Sequence, residues 1–290
     1  MVATDTGPEE AMAANRELVA LLGAVAAARA EQPGGDLTSA LTSALIAARD
    51  EGGGRLGQHE LIGTPLLLIT AGHETTPNLI TNAVRALCTH PDQLGLVRSG
   101  GARRADVVEE TPRWDSPVSY LPFRCPTRDL TLDGTVIPQG TPVLAGYSAA
   151  GRDMAAHGPD ADRFDVTRPV RATAARHLSL GHGPHYCLGA PLARMEAVIA
   201  LEQLFTRFPQ LDPAVPGTAL PRRAGFVGNS AETLPVRLRP GSVPVTDRRS
   251  PAHMIDGPRA DRRCAVLPSP AVPPGVPHPF RTHPAARTAR

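Results

Sequence analysis

Residues 180–191 read Leu180-Gly181-His182-Gly183-Pro184-His185-Tyr186-Cys187-Leu188-Gly189-Ala190-Pro191. Glycines 181, 183 and 189 let the backbone turn tightly and approach something flat and bulky. Ala190-Pro191 opens a helix-spaced apolar run to about residue 208, with Leu192, Met195, Ile199, Leu201 and Leu204 on its expected buried side. Cys187 therefore stands at the positive end of a helix, which favours a thiolate over a thiol. Cys88, Cys125 and Cys264 are distant in sequence and form no CxxC pair, which argues against a disulfide framework or a cysteine-rich zinc site. A lone thiolate on a glycine-lined loop suits a single-ligand metal bond, such as the axial position of a haem iron. The bland alternative is a small buried hydrophobe. A zinc site from His182, His185 and Cys187 would lack its fourth ligand.

Working outward, Ala71-Gly72-His73-Glu74-Thr75-Thr76 lies inside the longest periodic segment, about 59–88. Its nearly all-apolar middle predicts a helix buried on most sides. An acid beside an alcohol is costly there and asks for a reason; a polar turn on a solvated face is the alternative. The Thr75 hydroxyl is placed to bond the Ala71 carbonyl and bend the helix. Thr64-Pro65 reads as a cap and first helical residue, and Pro77 removes the donor to the His73 carbonyl. A second helix, about 103–113, carries Glu110-Thr111-Pro112-Arg113, whose acid and base share one face. Alone, such a pair is indistinguishable from a surface ion pair. Pro112 biases Thr111 away from helix and favours a helix end there.

The rest supplies a frame. Glu9 to Glu31 and residues 36–49 read as helices, the latter holding the direct repeat Leu37–Ala44, close to a one-turn insertion. Val118 to Val143 reads as short strands, with a hairpin turn at Asp133-Gly134. Residues 146–189 lack periodicity, and a long ordered loop inside a compact domain is generally functional. Residues 1–8 and 241–290 read as disordered; the latter hold ten prolines and eight arginines. The expected class is mainly α with a small antiparallel β component. All 30 basic side chains are arginine; with 28 acidic ones the net charge is +2, which argues against nucleic-acid binding driven by overall charge. No stretch reaches the ~20 apolar residues of a membrane span, and no signal pattern opens the chain, so a cytoplasmic protein is expected.

In combination and in this order, these segments resemble the cytochrome P-450 family, the haem-thiolate monooxygenases, especially the soluble bacterial type. The resemblance implies that residues 9–240 are a partial haem domain, the C-terminal portion of the P-450 fold, with the earlier helices absent. It implies haem b as cofactor, with Cys187 as the iron's axial ligand and Ala71, Gly72, Gly181 and Gly189 lining the group. Arg124 and His185 match positions that bind its propionates. Glu74 and Thr75 match the pair that relays protons, and Glu110, Arg113 and Arg163 (from Asp162-Arg163-Phe164) match a structural Glu-Arg-Arg network. The implied reaction inserts one atom of O2 into a small apolar molecule, by hydroxylation or epoxidation. Electrons would come from ferredoxin and ferredoxin reductase; neither a membrane nor nucleic acid is implied as a partner. Arg176 and Arg194 flank the cysteine loop and could meet an acidic ferredoxin, ordinary solvated arginines being the alternative. The other reading is a truncated, degenerate haem-binding remnant without turnover. Leu180 departs from the pattern, standing where the family's loop usually has phenylalanine.

Overall fold

The computed structural model describes residues 7–35, 39–45, 58–168, 177–216, 220–222 and 227–238. The chain divides into two units, Met1–Ser242 and Val243–Arg290. The expected disorder of residues 241–290 and of residues 1–6 lies outside the described residues, as do Asp36 to Thr38 and the end of the helix expected over 36–49; Pro8, expected in the disordered N-terminus, instead opens the first helix.

Helices are α1 (Pro8–Glu31), α2 (Gln58–Thr89), α3 (Pro91–Ser99), α4 (Arg104–Trp114), α5 (Tyr147–Ala150), α6 (Met154–His157) and α7 (Ala190–Arg207). Residues 39–45 are also helical. The strands are β1 (Tyr120–Arg124), β2 (Leu130–Leu132), β3 (Thr135–Ile137), β4 (Val143–Gly146), β5 (Asp212–Pro213) and β6 (Val236–Arg237). They pair antiparallel as β1–β4, β2–β3 and β5–β6, and a register shift interrupts β1–β4 between Leu121 and Arg124. The chain is thus mainly α with a small antiparallel component. The β2–β3 hairpin turns at Asp133 (φ 48°) and Gly134 (φ 76°), as the Asp-Gly pair predicts.

The core lies where the second half of α2 meets α3, α4 and α7. Leu79, Ala83, Val84, Ala86 and Leu87 of α2 pack with Leu94, Val97, Val107, Val108, Ala197, Leu201 and Phe205. Phe164 and Val166 close it from the irregular segment. Leu87 and Leu201 are essentially fully buried, and each contributes about 2–3 kcal/mol by leaving water.

Four sequence expectations change. First, α2 runs from Gln58 to Thr89, as the span of about 59–88 predicts, and passes unbroken through Pro65 and Pro77, so Thr64-Pro65 is not its start. Each proline removes one donor, to the carbonyls of Leu61 and His73, and the adjoining turns hold the helix together. Second, α2 is not buried throughout. Leu67 and Ile69 are 63% and 46% exposed, because α1 packs along this half and leaves their sides open. Third, α7 buries Ala190, Ala197, Leu201 and Phe205, while Leu192, Met195 and Ile199 are exposed. Small residues at Ala190 and Ala197 let this face of α7 lie close against its neighbours, with Leu201 and Phe205 filling the core beside them. Fourth, α1 is 24 residues long, and an 18-residue window within it has a mean hydropathy of 1.3, long and apolar enough to cross a membrane; that window is unburied, near the N-terminus.

Candidate active site

Everything at the site is referred to α4. Asp106 takes the Arg103 amide (2.8 Å) and its guanidinium (2.6 Å), fixing the first turn. The helix runs from Arg104 through Pro112 to Trp114, matching the expected span of about 103–113, and Pro112 does not end it. Pro112 gives up one N–H, and its own carbonyl accepts from the Ser179 hydroxyl at 2.6 Å.

The Glu110–Arg113 pair is no surface pair: the side chains are 5% and 2% exposed. Arg113 donates through Nε and Nη2 to the two Glu110 oxygens, both at 2.7 Å. It also donates to the carbonyls of Gly151 (2.7 Å), Ala161 (2.6 Å) and Arg163 (2.7 Å). One guanidinium thus binds a carboxylate in a fork and pins three turns of the irregular segment. Arg163 joins by its carbonyl only, and its side chain is exposed. The arginine side chain beside Glu110 belongs to Arg168, whose Nε lies 3.6 Å from Oε1. This corrects the expected third member. Burial works against the Arg168 charge, but Asp160 and Glu110 outweigh it and raise its pKa. Glu110 Oε1 also accepts from the Asp165 amide at 2.9 Å.

The cysteine loop is a compact turn. The Cys187 amide donates to the Leu180 carbonyl (2.7 Å), Tyr186 to Gly183 (3.0 Å) and Gly181 to Leu178 (2.8 Å). Gly181 has φ +76°, and a Cβ there would stand 2.5 Å from the His185 carbonyl oxygen, so this position requires glycine. Cys187 is a half-buried free thiol, three residues before α7. At Gly189, the α7 N-cap, a Cβ would lie 3.9 Å from its sulfur. His182 and His185 are exposed. Among the described residues, no three His, Cys, Asp or Glu side chains gather as metal ligands.

On α2 the Thr75 hydroxyl donates to the Ala71 carbonyl at 2.7 Å, the bond anticipated from the sequence. Thr75 is half-buried. The half-buried Glu74 carboxylate lies against Gly228, where a Cβ would collide with it. Gly72 faces open space, and a Cβ there meets nothing within 4 Å. It lines a cleft of about 600 Å³ with His73, Thr76, Pro77 and Ile80 of α2 and Glu196, Ile199 and Ala200 of α7. The structure thus sets Ala71, Gly72, Glu74 and Thr75 on one helix, and Cys187, Gly181, Gly189 and His185 on the loop entering a second helix packed against it. Arg124 ends β1, paired there with Val143 of β4; its side chain is exposed and, like that of His185, makes no hydrogen bond or ion pair among the described residues. A soft sulfur donor, two uncommitted cationic or hydrogen-bonding side chains, and a bare glycine face beside a mostly apolar cleft are a donor set that fits a haem with its propionates.

Residues 105–226 match the family model described as Cytochrome P450. The chain is 45% identical over 207 residues to 2-hydroxy-5-methyl-1-naphthoate 7-hydroxylase of Streptomyces carzinostaticus, covering 71% of this chain and 48% of that relative. It is 44% identical over 204 residues to vitamin D(3) 25-hydroxylase of Pseudonocardia autotrophica, covering 70% and 49%. The solved structure of CYP154A1 from Streptomyces coelicolor superposes with a TM-score of 0.67 at 48% identity, covering 81% of this chain and 56% of that one. The LnmA cytochrome P450 hydroxylase of Streptomyces atroolivaceus superposes with a TM-score of 0.70 at 38% identity, covering 81% and 58%. The chain belongs to the cytochrome P450 family. It spans about half the length of the curated relatives it matches.

Within this P450 framework, sequence reasoning missed Arg168, Ser179, Glu109 and His177. Arg194 does flank the cysteine loop, but it is no ordinary solvated arginine: it donates to Glu109 at 2.5 and 3.2 Å and to the Tyr186 hydroxyl at 3.1 Å. Arg176 lies outside the described residues. No sequence signal separated Glu109 from Glu110: they stand four and three residues before Arg113, and both spacings share its helical face.

Proposed function

We propose that this chain is the catalytic portion of a haem b monooxygenase. It inserts one oxygen atom of O2 into a small apolar molecule, by hydroxylation or epoxidation, with two electrons from a ferredoxin served by its reductase, in the cytoplasm. For hydroxylation the balance is R–H + O2 + 2e⁻ + 2H⁺ → R–OH + H2O. The observation that carries this reading is Cys187: a half-buried thiol whose amide is fixed on Leu180 at 2.7 Å, just ahead of the α7 N-terminus. The named hydroxylases among the relatives support it.

When bound, haem supplies an iron centre that takes up O2 and electrons. The residues of this chain do the rest. Cys187 provides a thiolate, stabilised by the start of α7. Arg124 and His185 hold the two propionates. Gly72 leaves room for the flat face, and Gly181 holds the loop in its turn. Two protons must reach the oxygen atom that leaves as water. The Thr75 hydroxyl has one proton, and that proton is engaged by the Ala71 carbonyl. The Thr75 oxygen therefore presents lone pairs, which accept from a water, and Glu74 on the same turn supplies the acid behind it. Thr75→Ala is expected to leave haem binding intact and to raise electron consumption per product severalfold; unchanged coupling removes Thr75 from the relay.

A second reading, haem binding without turnover, draws on exposure: Leu67, Ile69, Leu188, Met195 and Ile199 face water in this chain, and water exclusion is part of the chemistry. One experiment separates the two. The full chain is produced with haem supplied, reduced, treated with carbon monoxide, and then assayed for O2-dependent product from apolar test compounds. A thiolate-type red-shifted Soret band with product supports the first reading, and the band without product the second. A folded chain with no such band refutes both. Cys187→Ala must abolish the band.

A further inference from the structure

Glu109 stands beside Glu110 on α4 yet faces a different segment. Glu110 organises the irregular stretch around residues 151–168; Glu109 holds the cysteine loop from both ends. From α7, Arg194 donates to Glu109 Oε1 through Nε (2.5 Å) and to Oε2 through Nη2 (3.2 Å). Its remaining nitrogen, Nη1, donates to the Tyr186 hydroxyl at 3.1 Å, and Tyr186 immediately precedes Cys187. From the other end, His177 brings Nε2 to 3.6 Å from Glu109 Oε2, with its side chain 2% exposed. Neither of its ring nitrogens has a hydrogen-bond partner among the described residues, so the ring meets the Glu109 carboxylate as a close approach and not as a hydrogen bond. Burial pushes the Glu109 carboxyl up, but His177 and Arg194 outweigh it and hold it down at about 2. Glu109 is therefore ionised at any working pH and acts as a fixed clamp.

We propose that Glu109 is a positioning residue for Cys187: through Arg194, Tyr186 and His177 it clamps both ends of the cysteine loop onto α4 and keeps the Cys187 amide on the Leu180 carbonyl. The consequence for iron ligation rests on the reading of Cys187 given above; the clamp itself does not.

Hydrogen exchange followed by mass spectrometry tests it on the full chain, without and with haem. Glu109→Gln keeps the shape and removes the charge. It is expected to speed exchange in the peptide containing the Tyr186 and Cys187 amides about tenfold, while α2 amides around Ala83 to Leu87 are unchanged. Tyr186→Phe, at an exposed ring that leaves the core intact, is expected to speed the same amides about threefold and to add nothing in the Glu109→Gln background. In the haem-loaded protein, Glu109→Gln is expected to convert part of the carbon monoxide Soret band from the thiolate type to the unshifted type. Unchanged exchange at Cys187 in a folded Glu109→Gln protein overturns the proposal, as does an equal acceleration throughout the chain. Should Glu109→Gln fail to fold, unchanged exchange in Tyr186→Phe overturns it alone. A wild-type spectrum with no thiolate band refutes the ligand reading and leaves the exchange result to decide the clamp.

Discussion

Arg113→Met is the most demanding perturbation. Methionine fills most of the volume with a flexible apolar chain but removes every donor. The Glu110 carboxylate, 5% exposed, loses its fork, and the carbonyls of Gly151, Ala161 and Arg163 lose their partner. Breaking a buried pair by removing one partner costs about 3–5 kcal/mol. The Asp165 amide at 2.9 Å and Arg168 Nε at 3.6 Å still face Glu110, which argues for the lower end, about 3 kcal/mol. For a chain of this size that lowers the unfolding midpoint by about 6–12 °C. Urea unfolding of wild type, Arg113→Met, Glu110→Met and the double variant, followed by circular dichroism, measures it. The double variant is expected to lose about 1–3 kcal/mol less than the sum of the singles, because neither leaves the other's charge stranded. A loss under about 1 kcal/mol for Arg113→Met, the range of a solvated pair, would refute the argument that this guanidinium holds the irregular segment.

Gly181→Ala places a side chain at φ +76° and 2.5 Å from the His185 carbonyl; haem loading, read as Soret over protein absorbance, should fall severalfold, and unchanged loading contradicts the tight-turn argument. The Glu109 carboxyl is held at about 2, below its ordinary ~4.3. Its contribution is therefore full above the ordinary value and lost as pH falls through about 4 towards 2. The gap in melting temperature between wild type and Glu109→Gln should shrink over that acid limb; a constant gap would falsify the assignment. Burial, with Asp212 adding and Arg98 opposing, pushes the Cys88 thiol up to about 11. At pH 8 it should alkylate roughly a hundredfold more slowly than the exposed Cys125, and comparable rates in folded protein would contradict its placement.

Much of this arrangement was legible because it is local. The Asp133-Gly134 turn, the Thr75–Ala71 bond and the extents of α4 and α7 depend on neighbours within one turn of chain. The choice between Arg163 and Arg168 was not legible. Both lie in a stretch without periodicity, and only the path of that stretch over α4 decides which side chain points inward. The buried face of α7 was misread for a different reason. It carries more apolar residues than its neighbours cover, so of the expected stripe Leu201 and Leu204 meet the core while Leu192, Met195 and Ile199 do not, and Ala190, Ala197 and Phe205 take part in their place. In α2, local rules for proline gave a helix start that the flanking turns override.

The partners of Arg113 lie far along the chain: its three carbonyls come 38, 48 and 50 residues later. During synthesis at roughly 5–20 residues per second, α4 therefore waits about 3–10 s for them. Through that interval Glu110 and Arg113 have each other, three apart on one helical face. The pair is first a solvated contact that steadies a nascent helix by a few tenths of a kcal/mol, and only afterwards the buried anchor onto which the later segment docks. The same two side chains thus impose an order of assembly, with α4 as the template and residues 151–168 as the strap drawn over it.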